Sequence, residues 1–334
     1  RPAVTQTPGA PPLAPAHTGA EPAPVAFLGL DVGGSKCRFE WWPRGAAAGG
    51  DGRSVQPAVH GVDAAAEGLA NVLREAARDG APTAAVCALA GVGDAATSAA
   101  LVDGLRRRGI DFPVAVVGDV LAAAAAALAA GPGGLVWAGT GSFAVARAVD
   151  GRLWRGGGRG YLLGDQGSGY DLVRRAARAA LLAVDGIGPA TALVDDLVAA
   201  FAAPSPQRLG AVLQRLAPGE VAARLGTVLA VAARGDVVAQ QALAEGAADL
   251  DALADAAVRK AGLAWRSLST AAGGGVFDAA PDYLAAVAAR LTARGAVAPV
   301  LVAPRAAAVG AAWLAEGWHR GQSPQKEWVD RVAF

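Results

Sequence analysis

The chain has 334 residues and a formal net charge of +1, and 53% of its residues are hydrophobic, many of them alanine. This length suits two domains of ordinary size, built around cores of small side chains. Acidic and basic residues are interspersed, and no apolar run approaches the roughly 20 residues of a membrane span. We therefore expect neither a nucleic-acid partner nor a membrane segment.

Residues 1–24 are rich in proline and alanine and lack the apolar core of a signal sequence, so we expect them to be disordered. The two cysteines, Cys37 and Cys87, lie in apolar, strand-like segments, and their spacing matches no zinc pattern. They are predicted to be buried free thiols. Few cysteines and the lack of a signal sequence indicate a reducing, cytoplasmic setting.

Strands and helices are predicted to alternate in the first part of the chain. Residues 25–30 (VAFLGL) form an apolar strand that ends in a glycine turn, and residues 37–42 form the second strand of a hairpin. The next predicted segments are a helix over 63–78, a strand over 83–89, a helix over about 95–108 and a strand over 114–117. An alanine-rich helix is predicted to start where this last strand ends, at Gly118-Asp119.

The same strand–turn–strand pattern restarts at residue 134, so the chain contains an internal repeat. Strands 134–138 and 143–149 flank a second glycine turn at 139–142. Helices then dominate from 170 to about 262, a strand-like segment at 267–272 follows, and a last helix covers 304–317. Strands followed by helices indicate the α/β class. The repeat indicates two such domains that face a central cleft.

The glycine-rich turns are suited to bind a nucleotide. Glycines let the backbone approach an anion and aim its N–H groups at it. Gly33-Gly34-Ser35-Lys36 adds a hydroxyl and a cation, and Gly139-Thr140-Gly141-Ser142 would grip a triphosphate from the opposite domain. A simple hairpin turn is the alternative for either one alone, because short glycine motifs are weak signals. Gly273-Gly274-Gly275 would let an adenine ring lie against bare backbone, or else form a mobile loop.

Three aspartates accompany these turns. Asp31, at the end of the first strand, is suited to hold Mg²⁺ through water, since Mg²⁺ prefers carboxylate, water and phosphate oxygens. Asp119 would act either as a helix N-cap or as the general base that accepts the proton of an attacking hydroxyl. Asp165 lies in the glycine-rich segment 156–170 and is suited to accept hydrogen bonds from sugar hydroxyls. A helix-capping segment around Ser168 is the alternative there.

The order of motifs DVGGSK, ALAGVG, VGD, AGTGS, residues 156–193 and GGGVF resembles the BadF/BadG/BcrA/BcrD-type ATPase family, whose best-known relatives are N-acetylglucosamine kinases. The likeness covers about residues 27–316, and its most specific part is residues 157–193. The resemblance implies two actin-like (ribonuclease H-like) α/β domains that close on ATP and a sugar. It places the domains at residues 25–132 plus about 304–320 and at 133–303, followed by a tail at 321–334.

The resemblance also implies roles for single residues. The two glycine turns would bind the phosphates of ATP, Gly273–Gly275 the adenosine, and Asp119 would contact the sugar and deprotonate its 6-hydroxyl. Ser142, Gly158 and Asp165 match sugar-contacting positions. Relatives are commonly homodimers, so we expect the same of this chain.

The sequence departs from the family at the sugar end. Arg159 and Gln166 replace the Trp and Glu that relatives often carry, and the loop at 55–61 lacks the Asn that often lies near the acetamido group. We therefore expect an ATP- and Mg²⁺-dependent kinase that phosphorylates the 6-hydroxyl of N-acetylglucosamine or a related hexosamine. Glucosamine or N-acetylmuramic acid is the alternative acceptor.

Two alternatives belong to other functional classes. One is an ATP-driven activator of a dehydratase, which needs iron–sulfur cysteines after the second phosphate turn, whereas no cysteine follows Cys87. The other is a non-catalytic regulator that binds ATP or a sugar.

Overall fold

The structure is a computed structural model that describes residues 25–34, 36–43, 49–129, 131–303, 305–321 and 332–333. The segment predicted to be disordered (1–24), the phosphate-binding candidate Ser35 and most of the predicted tail lie outside these residues. The described residues form helices around two mixed sheets, which confirms the predicted α/β class.

The first sheet carries the first part of the chain. Its elements are β1 (Phe27–Val32), β2 (Lys36–Trp42), β3 (Gly50–Arg53), α1 (Pro57–His60), α2 (Val62–Ala76), β4 (Ala84–Leu89), α3 (Ala95–Arg107), β5 (Val114–Gly118) and α4 (Asp119–Ala127). The strand order is β3-β2-β1-β4-β5. β1 pairs antiparallel with β2 and parallel with β4, which in turn pairs parallel with β5.

The second sheet follows. Its first elements are β6 (Gly133–Ala138), β7 (Ser142–Arg147), β8 (Leu153–Gly157), α5 (Gly169–Val184), α6 (Leu193–Ala200), α7 (Leu209–Leu213), α8 (Pro218–Ala222), α9 (Leu225–Ala233) and α10 (Val237–Lys260). The chain ends with β9 (Thr270–Gly273), α11 (Gly275–Ala279), α12 (Pro281–Ala293), β10 (Val300–Leu301), α13 (Ala306–His319) and β11 (Val332–Ala333). The strand order is β10-β9-β6-β7-β8-β11.

The two halves share one topology. The order β3-β2-β1-β4-β5 in the first sheet corresponds to β8-β7-β6-β9-β10 in the second, and the antiparallel and parallel pairings also correspond. The internal repeat inferred from the sequence is therefore present in the topology. Open α/β sheets bind ligands beyond the carboxyl ends of their parallel strands, which directs attention to the turns after β1, β5, β6 and β9.

The last long helix, α13, packs against the first sheet and not beside its neighbours in sequence. A Cβ atom on Gly29 in β1 would lie 2.0 Å from the backbone oxygen of Ala308, and a Cβ on Gly310 would lie 2.1 Å from that of Ala122 in α4. Both glycines let backbone approach backbone. The domain boundaries given above remain our interpretation.

Several local expectations are resolved by the structure. Cys37 and Cys87 are buried free thiols, as predicted, and burial raises the pKa of both. The sequence pattern does not predict β3 and β8, since neither short strand shows a clear apolar alternation. No helix in the described part of the chain is long and apolar enough to cross a bilayer.

Candidate functional site

A cavity of about 1260 Å³ lies between the carboxyl edges of the two sheets. Its walls include the turn after β1, the start of α4, the turn after β6, the glycine-rich segment after β8 and the start of α11. Most of the candidate residues from the sequence line it: Asp31, Gly33, Gly34, Lys36, Asp119, Gly139, Thr140, Gly141, Ser142, Gly158, Asp165, Gly274 and Gly275. The cavity is therefore the candidate active site.

The two glycine turns meet across this cavity. A Cβ atom on Gly34 would lie 2.7 Å from the Cβ of Thr140, so only glycine fits at this contact. Within the turns, the Gly33 N–H donates to the Lys36 carbonyl (2.9 Å), and the Gly139 N–H donates to the Gly141 carbonyl (2.8 Å). Turns that lie far apart in the sequence thus form one glycine-lined constriction, in which the Gly34 backbone contacts the Thr140 side chain.

Asp31 and Asp119 are close enough to repel each other. Burial raises the pKa of Asp31 to about 7, the charge of Asp119 adds to this, and Arg38 opposes it. Arg38 is the cross-strand neighbour of Asp31 in β2. A carboxylate at the position of Asp31 is suited to hold a hard divalent cation, which would also relieve its repulsion with Asp119. The described residues contain no cluster of three or more candidate metal ligands, so Mg²⁺ here would complete its coordination with water and phosphate oxygens.

Asp119 is the first residue of α4, and the N-cap position belongs to Gly118. The capping interpretation of Asp119 is therefore wrong. Its Oδ1 accepts a hydrogen bond from the Val120 N–H (2.9 Å). Burial raises the pKa of Asp119, whereas the Val120 N–H and the guanidinium of Arg155 lower it. The carboxylate is thus held at the cavity wall by the Val120 N–H.

Asp165 has a left-handed backbone, with φ at 55°. Burial raises its pKa to about 6, the charge of Asp119 adds to this, and the N–H groups of Ser142 and Gly160 lower it by donating to the carboxylate. A Cβ on Gly141 would lie 2.7 Å from Oδ2 of Asp165, so the second glycine turn directly contacts this carboxylate.

The loop that carries Asp165 is held by buried hydrogen bonds. The Ser142 hydroxyl donates to the Gln166 carbonyl (2.7 Å), the Tyr283 hydroxyl donates to the Gly167 carbonyl (3.0 Å), and the Gly167 N–H donates to Asp171 (2.9 Å). Ser142 is 2% exposed. The Ser142 hydroxyl therefore donates its proton to the loop, and its oxygen can accept a hydrogen bond from a ligand.

The three glycines at residues 273–275 differ in their surroundings. Gly273 does not line the cavity, because its Cα faces Trp137: a Cβ there would lie 2.5 Å from the indole ring. Gly274, at φ 104°, packs against the Ala138 carbonyl, and Gly275 has open space beside it. Only the last two glycines therefore present backbone to the cavity.

The sequence reasoning missed several residues of the cavity wall. Arg38 and Arg155 carry positive charge into it, and the segment after α7, together with α8 and α9, supplies one side through Arg215, Pro218 and Leu225, among others. The sequence gives a signal for Arg38, since it stands directly opposite Asp31 in the predicted hairpin. Arg155 gives none, because β8 is not recognisable as a strand.

The repeated α/β topology, the cleft and the joined glycine turns define the class of the actin-like, two-domain sugar-kinase fold. A candidate N-acetylglucosamine kinase from Chromobacterium violaceum is 24% identical with a TM-score of 0.70, over 87% of this chain and 99% of that one. A ROK-family glucokinase from Streptomyces griseus, solved with glucose and AMPPNP, is 21% identical with a TM-score of 0.54, over 87% and 99%. The predicted fold is thus confirmed.

The chain belongs to the BadF/BadG/BcrA/BcrD ATPase family, whose profile matches residues 28–315. This confirms the resemblance seen in the motifs. An N-acetylmuramic acid/N-acetylglucosamine kinase from Clostridium acetobutylicum is 31% identical over 178 residues, which cover 53% of this chain and 58% of the relative. The match thus spans a little over half of that relative's length.

Proposed function

We propose that this protein is an ATP-dependent amino-sugar kinase that phosphorylates the 6-hydroxyl of N-acetylglucosamine or a related hexosamine. The observation that carries the proposal is the contact between Gly34 and Thr140, which joins two phosphate-type turns beside the carboxylate of Asp119. Phosphoryl transfer requires alignment and charge neutralisation more than covalent help. The family and the names of the relatives point to the same chemistry.

Each part of the cleft has a role in this proposal. The turns at residues 33–36 and 139–141 hold the phosphates through backbone N–H groups other than those of Gly33 and Gly139, which donate within their own turns. The backbone of Gly274 and Gly275 supports the adenosine. Asp119 orients the acceptor hydroxyl and accepts its proton. Ser142, Gly158 and Asp165 contact the sugar. Asp31 holds Mg²⁺ through water, and this ion, when bound, neutralises phosphate charge.

The experiment is an acceptor panel for the purified protein with ATP and Mg²⁺. N-acetylglucosamine, glucosamine, N-acetylmuramic acid and glucose are each tested for ADP release, and the position of the phosphate is read by NMR. We expect a 6-phosphate on at least one hexosamine. ADP release that does not depend on any acceptor would reject the proposal.

Glucosamine is the second acceptor to consider, because the loop at 55–61 lacks Asn and offers Gln56 to the cavity instead. An iron–sulfur activator is disfavoured, since both cysteines are buried within the first sheet and neither follows the second turn in the sequence. We further propose that the protein is cytoplasmic and that it forms a homodimer. Light scattering on the purified protein would test the dimer.

A further inference from the structure

A cationic side chain lies in the cleft beside the two aspartates assigned above. Arg155 is half-buried on β8 and lines the cavity together with Asp119 and Asp165. We propose that Arg155 is a positioning residue that holds these two carboxylates in their working arrangement across the cleft. The inference rests on the proposed function, because it concerns the acceptor side of the same reaction.

The packing of β8 directs Arg155 into the cavity. A Cβ on Gly156 would lie 2.3 Å from the backbone oxygen of Leu253, so the Gly156 face of the strand is packed against α10. Successive side chains of a strand point to opposite faces, and Arg155 therefore points away from that helix. Gly158, at φ 66°, lies beside the aliphatic part of Arg155, since a Cβ there would be 3.7 Å from its Cδ.

The charges around Arg155 explain what it does. Asp119 raises the pKa of Asp165, so the two carboxylates repel each other. Arg155 opposes this repulsion by lowering the pKa of both. Burial and the nearby Arg159 lower the pKa of Arg155, and the two aspartates raise it. Asp31, which repels Asp119 from β1, completes the set of charges.

Arg155 links the two sides of the cleft. Asp119 follows a strand of the first sheet, whereas Arg155 and Asp165 belong to the second. Without the guanidinium, two like charges would face each other and move apart. Because a displacement of about 1 Å in a catalytic arrangement costs on the order of 100-fold in rate, the loss of Arg155 should impair transfer to the acceptor and leave ATP binding intact.

The test compares Arg155→Gln and Arg155→Lys with the matched control Arg152→Gln. Arg152 precedes the same strand, but it is exposed and its guanidinium lies 5.3 Å from the Trp154 ring centroid. We expect Arg155→Gln to lose about 100-fold in kcat/KM for the hexosamine, with the affinity for AMP-PNP unchanged within about twofold. Arg155→Lys should keep part of the activity, and added guanidinium should restore part of it in Arg155→Ala.

Several outcomes would overturn the inference alone. The first is an activity of Arg155→Gln within about threefold of wild type. The second is a loss of AMP-PNP affinity that equals the loss of turnover. The third is an Arg155→Lys variant that is no more active than Arg155→Gln, together with no rescue of Arg155→Ala by guanidinium. If Arg155→Gln shows no cooperative thermal transition, Arg155→Lys and the rescue experiment decide. A wild-type protein that is inactive on every acceptor would instead reject the proposed function.

Discussion

Asp31 and Asp119 show how one edge of a sheet places two carboxylates in different surroundings. Asp31 lies near the end of β1 beside Arg38, whereas Asp119 starts α4 and accepts a hydrogen bond from the Val120 N–H. Burial raises the pKa of both, and their mutual repulsion adds to the shift of Asp31. A bound cation would relieve that repulsion, so the assignment of Asp31 to the metal and Asp119 to the hydroxyl is electrostatically self-consistent.

Asp119→Asn tests the base directly. The amide keeps the shape of the side chain and still accepts the Val120 N–H, but it cannot take up a proton. We expect AMP-PNP binding to be retained and acceptor turnover to fall by at least about 100-fold, the usual size of a general-base contribution. Isothermal titration and an ADP-release assay measure the two quantities. Turnover within tenfold of wild type would reject the base assignment.

The variant Asp165→Asn tests how the buried carboxylate changes the stability of the protein with pH, apart from its effect on turnover. The pKa of Asp165 is about 6 in the folded chain, against an ordinary value of 3.8. The unfolded chain therefore releases this proton at a lower pH than the folded chain does. The folded state of the wild type is therefore weakened as pH rises from about 4 through 6. We expect Asp165→Asn to be more stable than wild type by about 1–2 kcal/mol above pH 7 and equal to it near pH 4.

Urea unfolding near pH 4 and above pH 7 measures this difference. The control is Asp79→Asn, at an exposed position, which should leave the free energy of unfolding unchanged at both pH values. A destabilised Asp165→Asn at neutral pH would show that the hydrogen bonds from Ser142 and Gly160 outweigh the burial of the charge. The same variant should lose sugar turnover, since Asn offers one acceptor oxygen where the carboxylate offers two.

Elements whose positions depend on local pattern are predicted from the sequence, and those that depend on distant packing are not. β1 and β6 are apolar runs that end in glycine turns. β6 is found within one residue of its predicted bounds, whereas β1 begins and ends two residues later than predicted, at Phe27–Val32. β3 is a Gly-Asp-Gly-Arg segment that is a strand only because β2 pairs with it. The direction of Arg155 likewise depends on α10, which begins some 80 residues later.

The same distinction applies within the candidate site. The sequence indicates that the backbone of Gly273–Gly275 makes a close contact, but it does not identify the group that is contacted. Trp137, from another strand, occupies the space beside Gly273, so that residue serves packing and only Gly274 and Gly275 reach the cavity. The order of motifs along the chain identifies the family, and tertiary packing alone decides which members of each motif face the ligand.

Gly29→Ala tests how α13 is held against the first sheet. The added methyl group would lie 2.0 Å from the Ala308 carbonyl, so helix and strand must separate. We expect a loss of about 3 kcal/mol in the free energy of unfolding, the upper part of the range for overpacked cores. The control is Gly210→Ala in α7, where a methyl group meets only Leu181 at 3.9 Å. It should gain up to about 1 kcal/mol from helix propensity. Equal effects of the two variants would contradict the close packing of α13.

At the scale of the whole molecule, the two glycine turns form a close contact in which the backbone of one turn meets a side chain of the other. Gly34 belongs to a turn of the first sheet and Thr140 to a turn of the second, and they touch where the phosphates would be held. The two halves thus approach closely through a residue without a side chain. In the proposed kinase, closure would exclude water, which otherwise competes as the acceptor.

Gly34→Ala should hold the cleft open. Its Cβ would lie 2.7 Å from the Cβ of Thr140, and a contact below 3.0 Å to a branched side chain forces the two turns apart. We expect the radius of gyration of the variant, measured by X-ray scattering with AMP-PNP and sugar bound, to stay above that of the wild type. Acceptor turnover should fall by tenfold or more, because the catalytic groups of the two halves no longer meet. Gly33→Ala is the matched control for the scattering, since a Cβ there meets only the Lys36 carbonyl at 3.7 Å. If both variants compact like the wild type, the contact between the turns does not limit closure.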